Sequence, residues 1–359
     1  MQIVDRYTAK EFAGPFAAAV AGATIMLLSG LLFELTDLIV EKRMPVPTVV
    51  QMLLFRTPSV VVISLPIAAL FGTLLSLGRL VKDSELTSLL CAGVPFRRLA
   101  LPLLLIGASV SLCSFFLNEW VVPESNHRAE QILRRALFTD PFPAIEEGIF
   151  FRGPNDRYYY VGSVDRRTRR IERVLIYQFR WGEPYPEMIT AESGTYGERT
   201  WVLENGTRKR LDEQGFTVED VHFEILEYPV DEDFEVFLGN QRTTDEMTRR
   251  ELGEYIEMFK RSGIDVKRFE VEYHMKVSLP MAALLWTWVG APLALRSPRS
   301  GRFFGIVISL GLTFLYFVLA ALFRSLGGSG VFPPPVAAWA ANALYAASGF
   351  VLWAKTESV

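Results

Sequence analysis

Six stretches of this chain carry no charged side chain and are each long enough to cross a hydrocarbon core, and that pattern constrains the fold more than any other feature. They run from Ala13 to Phe33, Thr57 to Gly78, Leu99 to Asn118, Val277 to Leu295, Phe303 to Phe323, and Ser325 to the charge at Lys355; the last loses its first third to Gly and Pro. A bilayer-crossing helix needs about 20 apolar residues. Helices of water-soluble proteins show a polar face at every turn, and none of these runs does, which makes a buried core helix the poorer reading. The runs predict a polytopic α-helical membrane protein with six transmembrane helices.

Composition locates the rest. Half of the 359 residues are hydrophobic, yet 21% are charged, so the two kinds are segregated along the chain. Of 77 charged residues, 54 lie between Glu124 and Lys276. That segment reads as a polar domain inserted between two membrane halves, with domains at 1–123, 124–270 and 271–359. The first run is longer than a signal-peptide core and no small-residue cleavage pattern follows it, so it is expected to stay as an anchor.

Lys and Arg mark the cytoplasmic ends. With the N-terminus inside, that side collects Arg6, Lys10, Arg79, Lys82, Arg97, Arg98, Arg296, Arg299, Arg302 and Lys355. The opposite short loops are left with Lys42, Arg43, Arg56 and Arg324. Both termini are therefore expected on the cytoplasmic side, and the insert outside. Cys91 falls in a loop and Cys113 within the third run, so no disulfide is expected.

The insert opens with a helical stretch, Glu124 to Leu137, that continues the third span. From Glu146 to Leu238 it reads as short strands: Gly148–Arg152, Arg157–Val164, Arg173–Phe179, Tyr185–Glu192, Thr200–Glu204, Thr207–Leu211, Phe216–Leu226 and Phe234–Leu238. Asn205-Gly206 is a preferred two-residue hairpin turn, because both positions need positive φ. Short strands of this kind predict an all-β, jelly-roll-like domain or sandwich. Thr244 is expected to cap a helix carrying Met247, Leu252, Tyr255, Ile256 and Phe259 on one side.

Several chemistries are missing. No Gly-Lys pair exists, so the chain has no phosphate-cradling loop of its own, and any ATP must be hydrolysed by a partner. The three histidines, His127, His222 and His274, lack metal-ligand spacing, and no Gly-x-Ser-x-Gly elbow occurs. No enzymatic activity, cofactor, metal or nucleic-acid partner is expected. Gly290, Ala291 and Pro292 predict a kink or a packing accommodation in span four.

The loop RLVKDSELTSLLCAGVPFRRL from Arg79 holds the most information. Ser84 is placed to cap a short helix, about 83–93, with Leu86, Leu89 and Leu90 on its apolar side; Glu85 projects a carboxylate and Gly93-Val94-Pro95 ends it. One reading is a helix lying at the lipid headgroups. The other is a coupling helix seated in a cleft of an ATPase, with Glu85 paired to a cation there.

The segments DSELTSLLCAGVPFRRLALPLLL, FFLNEWVVPESN from Phe115, PLALRSPRSGRFFG from Pro292 and PPPVAAWAANALY from Pro333 together resemble the lipopolysaccharide export permeases, the LptF/LptG family. The opening IVDRYTAKEF and the helix EMTRRELGEYI from Glu246 fit it as well. The resemblance implies a heterodimer of two homologous permeases on a dimer of an LptB-type ATPase, moving lipopolysaccharide out of the membrane to LptC- and LptA-type periplasmic proteins. It assigns Glu85, Leu89, Ala92, Gly93 and Arg97 to the ATPase contact. Candidates for the phosphates and sugar carboxylates of the lipid are Lys42, Arg43, Arg128, Arg134, Arg135 and Arg324; contact with membrane lipid explains such residues equally well. Glu34 and Asp37 stand where the family is expected to carry bases, which argues against phosphate binding by span one. Competing functions are a membrane-anchored periplasmic binding or scaffold protein, and a permease of another lipid or lipoprotein exporter.

Overall fold

The computed structural model describes residues 3–40, 44–137, 148, 150–152, 157–165, 168–178, 185–197, 200–212, 216–229, 242–261, 265–295 and 302–357. The chain divides into two compact units: Met1–Asn126, Met247–Ile256 and Asp265–Val359 form the first, and His127–Glu246 with Glu257–Ile264 the second. The helices are α1 (Ile3–Val40), α2 (Val46–Lys82), α3 (Glu85–Cys91), α4 (Phe96–Phe116), α5 (Val122–Leu137), α6 (Arg249–Arg261), α7 (Lys267–Leu295), α8 (Arg302–Gly328) and α9 (Pro334–Glu357). A π-helical turn, Leu117–Val121, joins α4 to α5 without a break. Among the described residues, six helices are long and apolar enough to span a membrane: α1, α2, α4 continuing into α5, α7, α8 and α9.

The helices overrun the charge-free stretches, because a backbone ladder does not stop at a charge whose long side chain can reach toward water. Arg56 and Arg324, assigned to loops from the charge pattern, accordingly sit inside α2 and α8. In the first unit Trp286 of α7 is fully buried, ringed by Tyr316 and Phe317 of α8 and Tyr345 of α9 at centroid distances of 5.0, 6.2 and 6.4 Å. Helices without a hydrophobic drive between them rely on such close packing. Gly107 of α4 lies against Thr287 of α7, where any Cβ would collide. Gly290 lies against Leu70 and Thr73 of α2, which supports the packing role for that glycine.

Polar groups gather at Pro280 in α7. Proline has no N–H, so the Lys276 carbonyl loses its helical donor. Asn118 Nδ2, in the π turn, donates to that carbonyl at 3.2 Å. Nearby, Asn342 Nδ2 of α9 donates to the Ser278 carbonyl at 2.6 Å, Tyr316 O–H donates to Asn342 Oδ1 at 2.8 Å, and the Leu284 N–H donates to Ser111 Oγ at 2.9 Å. Side chains from three other segments thus satisfy α7 around its proline.

The second unit holds one antiparallel sheet of β1 (Phe150–Arg152), β2 (Arg157–Asp165), β3 (Arg170–Gln178), β4 (Glu187–Tyr196), β5 (Thr200–Leu211) and β6 (Thr217–Pro229), in sequential order. The expected strand Phe234–Leu238 lies outside the described residues. Among the described strands every neighbour pair is sequential, so the inserted β domain is built on one antiparallel meander.

The fold line is visible strand by strand. In β2 to β6 one step between inward positions is three residues where a flat strand has two: Val161 to Val164, Ile171 to Val174, Ala191 to Gly194, Leu203 to Gly206 and Phe223 to Leu226. Register aligns these steps, since Val161–Val174 and Ser163–Glu172 flank Gly162 and Arg173, and equivalent pairs flank Glu192, Asn205 and Glu224. Arg173 and Asn205 in this row take left-handed φ of 55° and 50°. One extra outward residue in each of these strands bends the sheet and leaves Tyr159, Val161, Ile171, Val174, Ile176, Trp201 and Leu203 in one buried cluster. Tyr159 of one leaf therefore meets Trp201 and Tyr228 of the other at 5.5 and 6.3 Å, although it pairs with neither. Burial in this apolar interior raises the Tyr159 phenol pKa.

Asn205-Gly206 is consequently not a hairpin turn. β5 runs through it unbroken, with Asn205 using its tolerance of positive φ for the crease. Gly206 follows because the Phe223 ring and the Thr190 carbonyl occupy the space of a Cβ. The cap of α6 also differs from expectation: Thr248 Oγ1 accepts from the Glu251 N–H while Glu251 Oε2 accepts from the Thr248 N–H, a reciprocal capping box. Thr244 instead starts a 3₁₀ turn, Thr244–Glu246.

Candidate functional site

α2 ends where the Asp83 N–H closes on the Arg79 carbonyl at 2.9 Å, and Ser84 then turns the chain with a φ of 60°. Ser84 makes no side-chain cap, in contrast to the expectation; a left-handed backbone points its hydroxyl away from the first turn, while its carbonyl receives the Ser88 N–H and Oγ–H. α3 closes as expected. Gly93 takes a φ of 83°, its N–H reaches the Leu90 carbonyl and the Val94 N–H the Leu89 carbonyl. Only a residue without a Cβ adopts that backbone freely. Pro95 then precedes α4.

One side of α3 is anchored. Leu86 is 1% exposed and shares a cluster with Phe12, Leu80, Phe96 and Leu99; Leu89 and Val94 pack partly against it. The far end of the loop is open, with Leu90, Cys91, Ala92, Gly93 and Arg97 all exposed. Of the five predicted contact residues, Ala92, Gly93 and Arg97 thus form one outward surface, whereas Leu89 leans inward. Glu85 does something the sequence did not indicate. Its Oε2 accepts a hydrogen bond from Tyr7 O–H of α1 at 2.6 Å.

Two further links join the start of α1 to this loop. Arg98 Nη2 donates to Asp5 Oδ2 at 3.0 Å, and Arg79 pairs with Glu11 and, at 3.5 Å, with Asp83. Their partners lie 68 to 93 residues apart in the chain, so no local pattern reveals them.

Of the predicted lipid-contacting cations, Arg128 and Arg324 have described side chains. Lys42 and Arg43, and the side chains of Arg134 and Arg135, lie outside the described residues. Arg128 is exposed on α5, in the second unit. Arg324, in the first, pairs with Glu272 of α7. Its charge is thereby matched within the chain.

In the second unit a cavity of about 720 Å³ follows the crease, lined by Arg173, Glu192, Asn205, Phe223 and Glu224 among others. Another group escaped the sequence reading entirely. Gln131 donates to His127 Nε2 at 2.9 Å, which leaves the imidazole proton on Nδ1 to be donated to Glu246 Oε2 at 2.7 Å. Glu246 Oε1 accepts from the Thr243 N–H and Oγ–H at 3.1 and 2.9 Å. This buried network ties α5 to the 3₁₀ turn.

Comparison with known proteins bears directly on these features. The family model "Lipopolysaccharide export system permease LptF/LptG" matches residues 6–355. The permease protein LptF of Escherichia coli K12 is 23% identical over 98% of this chain and 94% of its own length. LptG of the same strain is 22% identical over 79% of each chain, and LptG of Haemophilus influenzae 22% over 71% of each. A six-span bundle with an antiparallel sheet inserted between its third and fourth spans, matched from residue 6 to residue 355, makes this chain a member of the LptF/LptG family of lipopolysaccharide export permeases.

Proposed function

We propose that the chain is one permease subunit of an ATP-driven complex that extracts lipopolysaccharide from the inner membrane and passes it to a periplasmic bridge of β-rich proteins. The observation that carries the ATP-driven part is the construction of α3. Leu86 fixes the helix in the bundle core, while Ala92, Gly93 and Arg97 face outward at its far end. A helix anchored on one side and open on the other is suited to seat in a partner and to move the bundle when pushed. The chain has no phosphate loop of its own, so the ATPase is a separate partner; the family resemblance supports a dimer of the LptB type. Membership of a family with both LptF and LptG relatives supports a second, homologous permease beside this one, and LptC- and LptA-type proteins as acceptors.

The charges support an orientation with α3 and both termini in the cytoplasm: Arg79, Lys82, Arg97 and Arg98 flank α3. The folded sheet then faces the periplasm, with Phe223 half-buried beside the crease cavity as a point where an acyl chain or sugar can touch it. Orientation is tested in a variant with Cys91 and Cys113 replaced. A cysteine at Ser163 is expected to react with an impermeant thiol reagent in intact spheroplasts and one at Ser84 only after lysis. Reaction at Ser84 alone reverses the orientation.

A further inference from the structure

We infer that the beginning of α1 belongs to the coupling element, and that Tyr7 is a positioning residue that holds Glu85 for its partner. The inference rests on the reading of α3 as the ATPase-docking helix. Asp5, Tyr7 and Glu11 lie within the opening IVDRYTAKEF, and each grips a different part of the loop: Asp5 holds Arg98 at the start of α4, Tyr7 holds Glu85 at the start of α3, and Glu11 holds Arg79 near the end of α2. Beneath them Phe12 is 2% exposed and packs in the cluster that contains Leu86. Helix α1 is therefore fastened to α3 itself and to the two helices that flank it, α2 and α4. Further along, the most apolar window of α1 has no fully buried residue, and Thr24 there bonds to Ser64 of α2 at 2.9 Å.

Magnitudes separate a mechanical role from a stabilising one. Arg98 and Arg79 are 38% and 45% exposed, and pairs of that kind add little to folding stability. Their worth is geometric. Tyr7 takes Oε2 and fixes the rotamer of the carboxylate, which leaves Oε1 as the atom to meet a partner cation. Displacement of α3 by the ATPase then reaches α1 through three links.

The test uses the full chain co-expressed with its partner permease and ATPase, and reconstituted in vesicles containing lipopolysaccharide. Tyr7→Phe removes one hydroxyl. It is expected to leave assembly intact and to lower lipid released per ATP by roughly threefold to tenfold, and to have no further effect in a Glu85→Ala background, as coupled residues behave. Asp5→Arg and Arg98→Asp should each reduce release per ATP, and the charge-swapped double variant should recover at least half of it, which a purely steric role would not allow. An unchanged Tyr7→Phe, or an equal loss with and without Glu85, overturns the inference while the docking reading stands. A wild-type chain that brings down no ATPase overturns both.

Discussion

Replacing Glu246 by alanine is expected to destabilise the inserted unit by roughly 3–5 kcal/mol, the cost of breaking a buried, hydrogen-bonded charge network. Glu246 is fully buried and His127 is 5% exposed. Removing the carboxylate leaves the buried His127 Nδ1–H and the partly buried Thr243 N–H without their acceptor. Since a domain is stable by only about 5–15 kcal/mol in all, the loss should lower the thermal midpoint by more than about 10 °C. Glu246→Gln keeps the shape and an acceptor oxygen, and should cost markedly less. Protease resistance of the inserted unit against temperature reads both. Equal midpoints for wild type and Glu246→Ala would show that the network contributes nothing.

Trp201→Ala is expected to cost a similar roughly 3–5 kcal/mol, through lost apolar burial and the cavity left behind. Trp201 is 1% exposed and supplies the contact between the two leaves of the folded sheet, edge-on to Tyr159. Without it the crease has less to close upon. Trp120, 70% exposed in the π turn, is the control, and its replacement by alanine should leave the same midpoint within a degree or two. If the two tryptophan variants melt alike, the leaves are not held together in this way.

What could be read from the residues follows from the range of the interaction. The six spans were legible because lack of charge over about 20 residues is a local signal, and so were α5 and the Gly93 stop of α3. Arg56 was misplaced because charge marks the reach of water, whereas the hydrogen bonds that continue α2 past it leave no mark in composition. Asn205-Gly206 was misread for a different reason. Positive φ is a property of one residue and serves a turn or a crease equally; only the matching three-residue steps in all five strands distinguish them, and these emerge once the register is known. Ser84 and Thr248 show the same limit on a smaller scale, since a capping residue type recurs every few positions and its backbone decides which one caps. The Tyr7–Glu85 and His127–Glu246 bonds join residues 78 and 119 positions apart, beyond any periodicity.

The central claim is that this permease moves lipopolysaccharide when an ATPase acts on α3, and Glu85 is where charge enters that contact. Truncating one partner of a buried charge pair costs roughly 2–5 kcal/mol, and reversing the charge costs more because two cations then face each other. Neither change should disturb the fold, since Glu85 is half-buried at the edge of the bundle and its neighbour Leu86 carries the packing. The direct measurement is ATP-dependent release of lipopolysaccharide from vesicles containing the assembled complex, for wild type, Glu85→Ala and Glu85→Lys. Release by wild type, reduced in Glu85→Ala and abolished in Glu85→Lys with the spans and the sheet still folded, is the expected result; full release from both variants would contradict the account and make α3 a helix that merely lies at the headgroups.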